Sequence, residues 1–250
     1  MIKVTPYNIQ QKGSKTAGNA QTVPIQMPPN FTATITVPTS IASDTFLKTQ
    51  FAPEWLKDAT ILKATSYLKD VEFDKNDVKQ LQAQGSMPPF LSGREAIEFI
   101  ENSNIRIKFD ALASPHIHAQ YDFENNFIKI NEIYKNTQDP AEILAISEAI
   151  FHEAGHAKDG DGESSIQEEI DCLSLNALSH RYFVKKFPNV FSNADSLIVK
   201  DGVCVYADLF FDKDPMKTAL AKRVRQKYGF LPAGDFKHPP SNLALKSKTS

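Results

Sequence analysis

Apolar residues recur at helical spacing in the part of the chain that precedes residue 104. In residues 51–70 the apolar positions that fit one face of a helix are Trp55, Leu56, Ala59, Leu62 and Leu68. A second such stretch begins near Ser92, which stands three residues before Glu95 as in a helix capping box. The pattern therefore predicts two or three helices in this part of the chain.

The pattern changes from helical spacing to alternation between residues 104 and 131. The alternating positions are Ile105, Ile107 and Phe109, then Tyr121 and Phe123, and finally Phe127, Ile128 and Ile130. Alternation with period two is typical of half-buried strands, and Asn125-Asn126 is a turn signal between the last two of them. We predict a small antiparallel or mixed sheet whose strands follow one another as a meander.

Two longer helices are predicted after the sheet. Asp139 and Pro140 form an N-cap and a first helical position, and the glycines of DGDGE end this helix near residue 160. The stretch beginning SSIQEEIDC starts a second helix, which should run to about Phe187 because Pro188 follows.

The rest of the chain predicts a hairpin, a final helix and a tail. The hairpin would turn at Asp201-Gly202, and the helix would end at Gly229. Residues 1–45 are rich in Gln, Thr, Asn, Ser and Pro without helical periodicity, which predicts a flexible or extended arm. Residues 46–230 then form one α+β domain, and residues 231–250 an irregular C-terminal tail.

Composition excludes several function classes. The chain has 250 residues, of which 41% are hydrophobic, enough for a sizeable core, and its formal net charge is -2. Its basic residues are scattered, so neither nucleic acid nor a membrane is expected as a partner. No secretory signal or membrane span is evident, so we expect a cytoplasmic protein with Cys172 and Cys204 reduced, although signal-less export leaves no mark in a sequence.

The chemistry is concentrated in FHEAGHA, on the C-terminal half of the first long helix. His152 and His156 are four residues apart, so their imidazoles lie one turn apart on one helix face and can bind a single metal ion. Glu153 stands beside them and can act on a water molecule at the metal. Zinc lowers the pKa of such a water to about 7, which indicates metal-assisted hydrolysis.

With this motif, the stretch from residue 104 to residue 187 resembles the zincin metallopeptidases of the minimal gluzincin type. The resemblance implies a zincin-like fold, in which a small sheet packs on the HExxH helix and on a following helix that supplies the third zinc ligand. It also implies that the edge strand of the sheet binds a peptide or protein substrate as an added strand. The matching segment is FIKIN, from Phe127 to Asn131.

The resemblance leaves two glutamates for the third ligand. The metzincin pattern would need Gly and His where Asp159 and Gly162 stand, whereas gluzincins take a glutamate from the next helix. The helical angle favours Glu169, which points inward. Glu168 is the alternative, although it also fits a capping box with Ser165.

A second residue should hold a ligand histidine by its other ring nitrogen. Many gluzincins place Asp or Asn four residues after the ligand glutamate, but Asp171 stands four residues after Gln167, a poor zinc ligand. Either Glu168 and Asp171 divide the two roles in another register, or the partner is a residue such as Asn176.

Further polar residues are candidates for roles in the cleft. His180 lies on the inner face of the second helix and could donate a hydrogen bond to the oxyanion of the substrate. The tyrosines that compete for this role are Tyr121, Tyr182 and Tyr206. His116 and His118 alternate on a strand, either as a second metal site or as polar residues near the cleft.

The sequence therefore predicts a zinc peptidase with Glu153 as general base. The first alternative is a catalytically inactive zincin-like binding protein in which zinc is structural. The second is a metal-free interaction protein that acts through the N-terminal arm. The acidic residues Asp159, Asp161 and Glu163 are interpreted as a solvated turn.

Overall fold

The computed structural model describes residues 57–192, 194–214 and 219–248, all within the compact unit Lys48–Ser250. The predicted N-terminal arm, residues 1–45, lies outside the described residues, as does the start of the first predicted helix. Within the described ranges, no helix has both the length and the apolar character that a membrane span requires.

From residue 57 onward, where the structure describes the chain, three helices precede the sheet, as predicted. They are α1 (Ala59–Lys69), α2 (Lys75–Ala83) and α3 (Gly93–Asn102). The side chain of Asp58 accepts hydrogen bonds from the first turn of α1, and Ser92 Oγ accepts one from Glu95 N at 3.2 Å. The predicted cap at Ser92 is therefore confirmed.

The sheet is mixed, with three strands: β1 (Arg106–Asp110), β2 (Ala119–Asp122) and β3 (Phe127–Asn131). Their spatial order is β1-β3-β2, with β1 parallel and β2 antiparallel to β3. The predicted meander is therefore wrong, and FIKIN is the central strand instead of the edge. The reason is burial: Ile128 and Ile130 on β3 are fully buried, whereas β2 carries the exposed Gln120, which suits an edge position.

The first long helix, α4 (Pro140–Asp159), has the bounds that its caps predict. Asp139 accepts a hydrogen bond from Ala141 N at 2.8 Å, and the helix ends at Gly160, whose φ of 69° is left-handed. Most of its side chains are buried, because it packs between α1 and the sheet on one side and the next helix on the other. It is the central helix of the domain.

The second long helix, α5 (Ile166–Lys186), lies against α4. Ser165 and Glu168 form the predicted capping box at its start. The two helices approach so closely that a Cβ at Gly155 would lie 2.7 Å from Cys172 Sγ. Glycine at this position therefore lets the backbone of α4 meet a small side chain of α5.

The predicted hairpin at Asp201-Gly202 is wrong, because the chain there is helical. A π-helical turn spans Ile198–Val203 and leads into α6 (Cys204–Phe210). A short apolar run cannot distinguish a buried strand from a buried helix, and here Tyr206, Ala207 and Phe210 form one buried helical face. The last predicted helix is present as α7 (Ala219–Tyr228), followed by Gly229.

Two apolar cores lie on opposite sides of the α4–α5 pair. The first joins α1, α3 and the sheet to α4, and its large buried members include Leu68, Phe90, Ile100, Ile128, Ile146 and Phe151. The second joins α5 to α6, α7 and a final helix, and includes Ile166, Ile170, Leu178, Phe210, Val224 and Leu243. The interface between the two long helices is thus fixed by hydrophobic burial from both sides.

The C-terminal tail is not irregular throughout, which corrects the prediction for residues 231–250. Residues 242–248 form α8 (Asn242–Lys248), and its Leu243 and Ala244 are fully buried in the second core. Before it, His238 lies 3.2 Å from both Asp159 Oδ1 and Asp171 Oδ2. Asp159 is therefore a buried partner of the tail instead of part of a solvated turn.

We expect the free energy of unfolding to fall as the pH rises from about 6.5 to about 9. The hydrogen bond to Asp171 is the main cause that raises the pKa of His238 from 6.5 to about 9, against the opposing effect of burial. The folded protein thus keeps a proton that the unfolded chain releases, so this stabilisation is complete below pH 6.5 and is lost as the pH rises through 9.

Urea unfolding at pH 6 and pH 9.5 measures this difference. We expect His238 to contribute about 1–2 kcal/mol to this difference in the free energy of unfolding, less than the whole shift would give because solvent screens a partly exposed pair. His238→Gln should reduce the difference by about that amount. An unchanged difference in that variant would contradict the role of His238.

Candidate metal centre

The motif helix faces a cavity of about 400 Å³. α4 supplies His152, Glu153 and His156, and α5 supplies Glu168 and Glu169. The edge strand β2 forms one wall, and Tyr206 of α6 with Tyr228 of α7 forms part of another. The residues of the predicted metal site are thus brought to one place by two antiparallel helices.

Three side chains meet at the floor of this cavity. His152 Nε2 and His156 Nε2 are 3.1 Å apart. Glu169 brings Oε2 to 3.6 Å from His152 Nε2 and Oε1 to 3.7 Å from His156 Nε2. Among the described residues, these three form the one group of His, Cys, Asp or Glu side chains that is compact enough to hold a metal ion.

The geometry of this group suits zinc. Two nitrogen ligands about 2.0 Å from one tetrahedral zinc ion lie about 3.3 Å apart, close to the separation of the two Nε2 atoms. Glu169 Oε2 is buried and makes no hydrogen bond with any described residue. A buried carboxylate oxygen without a donor is costly, and a cation at this point would satisfy it.

The ring orientation of both histidines is fixed from behind. His152 Nδ1 lies 2.7 Å from Asn176 Oδ1, and Asn176 Nδ2 donates to Glu148 O at 2.9 Å, which sets the direction of the amide. His156 Nδ1 lies 2.6 Å from Glu168 Oε1. Both acceptors are oxygens, so each Nδ1 is the donor in these contacts, which leaves the two Nε2 atoms to face the candidate metal position.

These contacts distinguish Glu168 from Glu169, the two candidates that the sequence left for the third metal ligand. Glu168 holds His156 by Nδ1 and also caps α5, so its carboxylate is engaged away from the two Nε2 atoms. Glu169 faces both of them. Asp171 instead accepts a hydrogen bond from Met87 N at 2.7 Å, so it does not orient either histidine.

The charges of the site favour a cation. Burial by itself would raise the pKa of Glu169, but His156 and His152 outweigh it and lower the pKa to about 2. Burial would likewise lower the pKa of His156, but the carboxylates of Glu169 and Glu168 outweigh burial and raise it well above its usual range. Burial raises the pKa of the Cys172 thiol to about 12, so this side chain is neutral at physiological pH.

Glu153 lies beside the two histidines and is held by the edge strand. Tyr121 N donates to Glu153 Oε2 at 2.7 Å. His118 O accepts a hydrogen bond from Asn131 N, so the backbone N–H and C=O groups of His118 are directed toward β3. Successive residues of a strand alternate in this respect, so the backbone groups of residues 119 and 121 are directed away from β3. The backbone of Ala119 and Tyr121 is therefore directed to the cavity side of the sheet.

Two tyrosines of the C-terminal helices line the cavity. Tyr206 is almost fully buried, and its hydroxyl makes no hydrogen bond with a described residue, although Arg223 lies near enough to favour ionisation. Burial raises the pKa of Tyr206 to about 12, so the hydroxyl stays protonated. Burial and the neighbouring Glu169 raise the pKa of Tyr228 well above its usual range.

Sequence reasoning missed Tyr228 and the neighbouring Lys227, which also lines the cavity. Both stand in a helix that begins 50 residues after Glu169, and its sequence carries no motif that points to the site. Lys227 Nζ lies 5.1 Å from the ring centre of Tyr228, and its charge contributes to the low pKa of Glu169. Only the fold of the second core brings this helix back to the cavity.

His180, for which a role in the cleft was predicted, lies outside the residues that line this cavity. Its Nδ1 lies 3.1 Å from Glu148 Oε1, its ring contacts Phe191, and it lines a separate groove. His180 points toward α4, as its helical angle predicts. It follows Glu169 by eleven residues, however, so it lies about 16 Å farther along the helix axis. Tyr182 lines the same separate groove, and its hydroxyl accepts a hydrogen bond from Lys186 Nζ.

The two strand histidines line the cavity without forming a second metal group within the described residues. His118 Nδ1 lies 2.8 Å from the hydroxyl of Tyr134, and His116 N donates to Ser114 Oγ. Tyr121 donates its hydroxyl to Asn126 Oδ1 at 3.0 Å and so directs it away from the histidines.

Comparison of the chain with protein-family models, with curated proteins and with solved structures finds no match. The arguments for function therefore depend on the residues and on their geometry.

We expect Glu168→Gln to weaken zinc binding by about 10- to 100-fold, because the amide holds His156 less strongly and removes a negative charge next to the site. Competition with a zinc chelator measures the affinity. Glu101→Gln, an exposed change on α3, is the matched control and should have no effect. A loss as complete as that caused by Glu169→Gln would instead make Glu168 a ligand.

Proposed function

We propose that the protein is a zinc-dependent peptidase in which His152, His156 and Glu169 bind the metal and Glu153 is the general base. The main support is the compact group of two Nε2 atoms and one carboxylate, whose buried Oε2 has no hydrogen-bond partner among the described residues. Glu153, which does not belong to this group, lines the same cavity and can act as the base.

The protein residues prepare the site before any substrate enters. Asn176 and Glu168 fix the rings of the two histidines, so little ordering remains when the ion binds. Zinc, when bound, supplies a Lewis acid that polarises a carbonyl group and makes water more acidic at neutral pH. Three protein ligands leave a fourth position for substrate or water, as in catalytic zinc sites.

Glu153 is suited to move a proton during hydrolysis. It takes a proton from the attacking water as the new C–O bond forms and the carbonyl oxygen becomes an oxyanion. It then delivers this proton to the amine nitrogen as the C–N bond breaks and the carbonyl group forms again. The hydrogen bond from Tyr121 N holds one oxygen of the carboxylate, which limits its rotation. This bond also places the base directly at the edge of the sheet.

The edge strand β2 offers the surface for an extended peptide. The backbone groups of Ala119 and Tyr121 face the cavity, and both residues line it. Tyr121 N already donates to Glu153, so a peptide added as a strand would pair with the other backbone groups at this edge of β2, and its backbone would lie next to Glu153. This function is assigned to β2 in place of FIKIN, which is flanked by β1 and β2.

Tyr206 is the side chain best suited to stabilise the oxyanion of the substrate. Tyr206 lines the cavity, and its hydroxyl is protonated, buried and without a hydrogen-bond partner among the described residues. Such a donor can bind developing negative charge with little reorganisation. Tyr228 lies next to Glu169 and is better suited to hold that carboxylate.

We expect Glu153→Gln to retain zinc and to lose hydrolysis, since the amide cannot accept the proton from water. Metal content is measured by elemental analysis, and cleavage by mass spectrometry of a peptide library digested with each protein. His152→Ala should lose both zinc and cleavage.

The outcomes separate the peptidase from its alternatives. Wild-type protein that binds zinc but cleaves no peptide would favour a binding protein with structural zinc. Protein that binds no zinc would contradict the metal site altogether.

We expect Tyr206→Phe to lower kcat about 10²- to 10³-fold on the best library peptide, with zinc content unchanged, because one donor to the oxyanion is lost. Steady-state kinetics with that peptide measure the effect. Tyr182→Phe removes a hydroxyl outside the cavity and serves as the control, with kcat expected within twofold of the wild type. A wild-type kcat in Tyr206→Phe would exclude this role.

A further inference from the structure

The helix that supplies Glu168 and Glu169 begins on the C-terminal segment of the chain. Ile166 N donates to Pro232 O at 2.8 Å, and Gln167 N donates to Ala233 O at 3.2 Å. The first N–H groups of a helix have no partner within the helix, so these two bonds complete its N-terminus. The segment thus contacts the two residues directly before the glutamates.

His238 joins this segment to both long helices. Its Nδ1 lies 3.2 Å from Asp171 Oδ2 on α5, and its Nε2 lies 3.2 Å from Asp159 Oδ1 at the end of α4. Both aspartate side chains are only 4% exposed, so the contacts are shielded from water. Asp235 Oδ1 accepts a hydrogen bond from His238 N at 2.7 Å and fixes the backbone from which the ring projects.

Neighbouring residues of the segment strengthen the same connection. Lys237 Nζ donates to Asp159 O at 2.5 Å and lies 3.4 Å from Asp161 Oδ2. Ser241 N donates to Gln167 Oε1 at 2.8 Å, and Gln167 Nε2 donates to Asp171 Oδ1 at 3.0 Å. The C-terminal segment therefore contacts both the end of α4 and the start of α5, which flank the turn between these helices.

The end of the segment is packed into the protein core. Leu243 and Ala244 of α8 are fully buried in the same apolar cluster as Ile166 and Ile170 of α5. Burial of a large apolar side chain such as Leu243 stabilises the segment more than a surface contact does. The hydrogen bonds at the start of α5 thus come from a segment that is itself held in place.

We propose that residues 231–248 form a positioning strap for the metal site, with His238 as its main positioning residue. The strap sets the axial position and rotation of the first turn of α5, so that Glu169 meets the two Nε2 atoms and Glu168 meets His156 Nδ1. The inference rests on the proposed zinc site. Displacement of a ligand by about 1 Å is enough to weaken such a site.

The test compares His238→Gln with Arg181→Gln in the full-length protein. Arg181 forms an exposed ion pair with Asp77 at 2.9 Å near the other end of α5, so its substitution removes a contact from the same helix away from the site. Zinc affinity is measured by chelator competition at pH 7, and ligand geometry by the visible spectrum of the cobalt-substituted protein. Thermal unfolding of the metal-free proteins reports the structural effect alone.

We expect His238→Gln to weaken zinc binding about 10-fold or more and to change the cobalt spectrum, while Arg181→Gln changes neither. A folded His238→Gln protein with wild-type affinity and spectrum would overturn the strap. If that variant does not fold, Lys237→Gln takes its place, with an expected loss of a few-fold, and wild-type affinity there would equally overturn the proposal. Wild-type protein without zinc binding would overturn the proposed function and the strap with it.

Discussion

The close packing of α4 against α5 is the contact on which the rest of the structure depends. At one point Gly155 approaches Cys172 so closely that a Cβ would not fit. Polar pairs join the two helices at successive turns. These pairs are Glu148 with His180, His152 with Asn176, and His156 with Glu168. Because the helices are antiparallel, the register of one pair fixes the others, and the side chains of the candidate metal site converge at one end.

Buried polar groups explain why this interface has one arrangement. A polar side chain in a core is costly unless it is hydrogen-bonded, so a shift of one turn would leave several of these groups without partners. The apolar cores on either side hold the helices together without specifying their register. Two carboxylate oxygens of this interface, Glu148 Oε2 and Glu169 Oε2, have no hydrogen-bond partner among the described residues. Only Glu169 belongs to the group of side chains that is compact enough to hold a metal ion.

Local signals in the sequence predicted the helices well and the tertiary arrangement less well. The caps at Ser92, Asp139 and Ser165 are set by side chains that bond to backbone groups within three residues, so they are visible in a short window. The order of the strands is different, because it depends on which strand can be covered on both sides. The apolar run after Leu197 had no period that separates strand from helix, and its burial against α5 made it helical.

The sequence by itself determined the candidate chemistry: the spacing of His152 and His156 puts two candidate ligands on one helix face whatever the rest of the chain does. With the resemblance to gluzincins, it also limited the proposed third ligand to Glu168 or Glu169. Only the tertiary structure gave the two glutamates different roles, because their directions differ by about 100° and only the position of α4 decides which of them faces the Nε2 atoms. The contributions of Tyr228 and His238 were likewise decided by the fold, since no short-range pattern records which distant segments will meet.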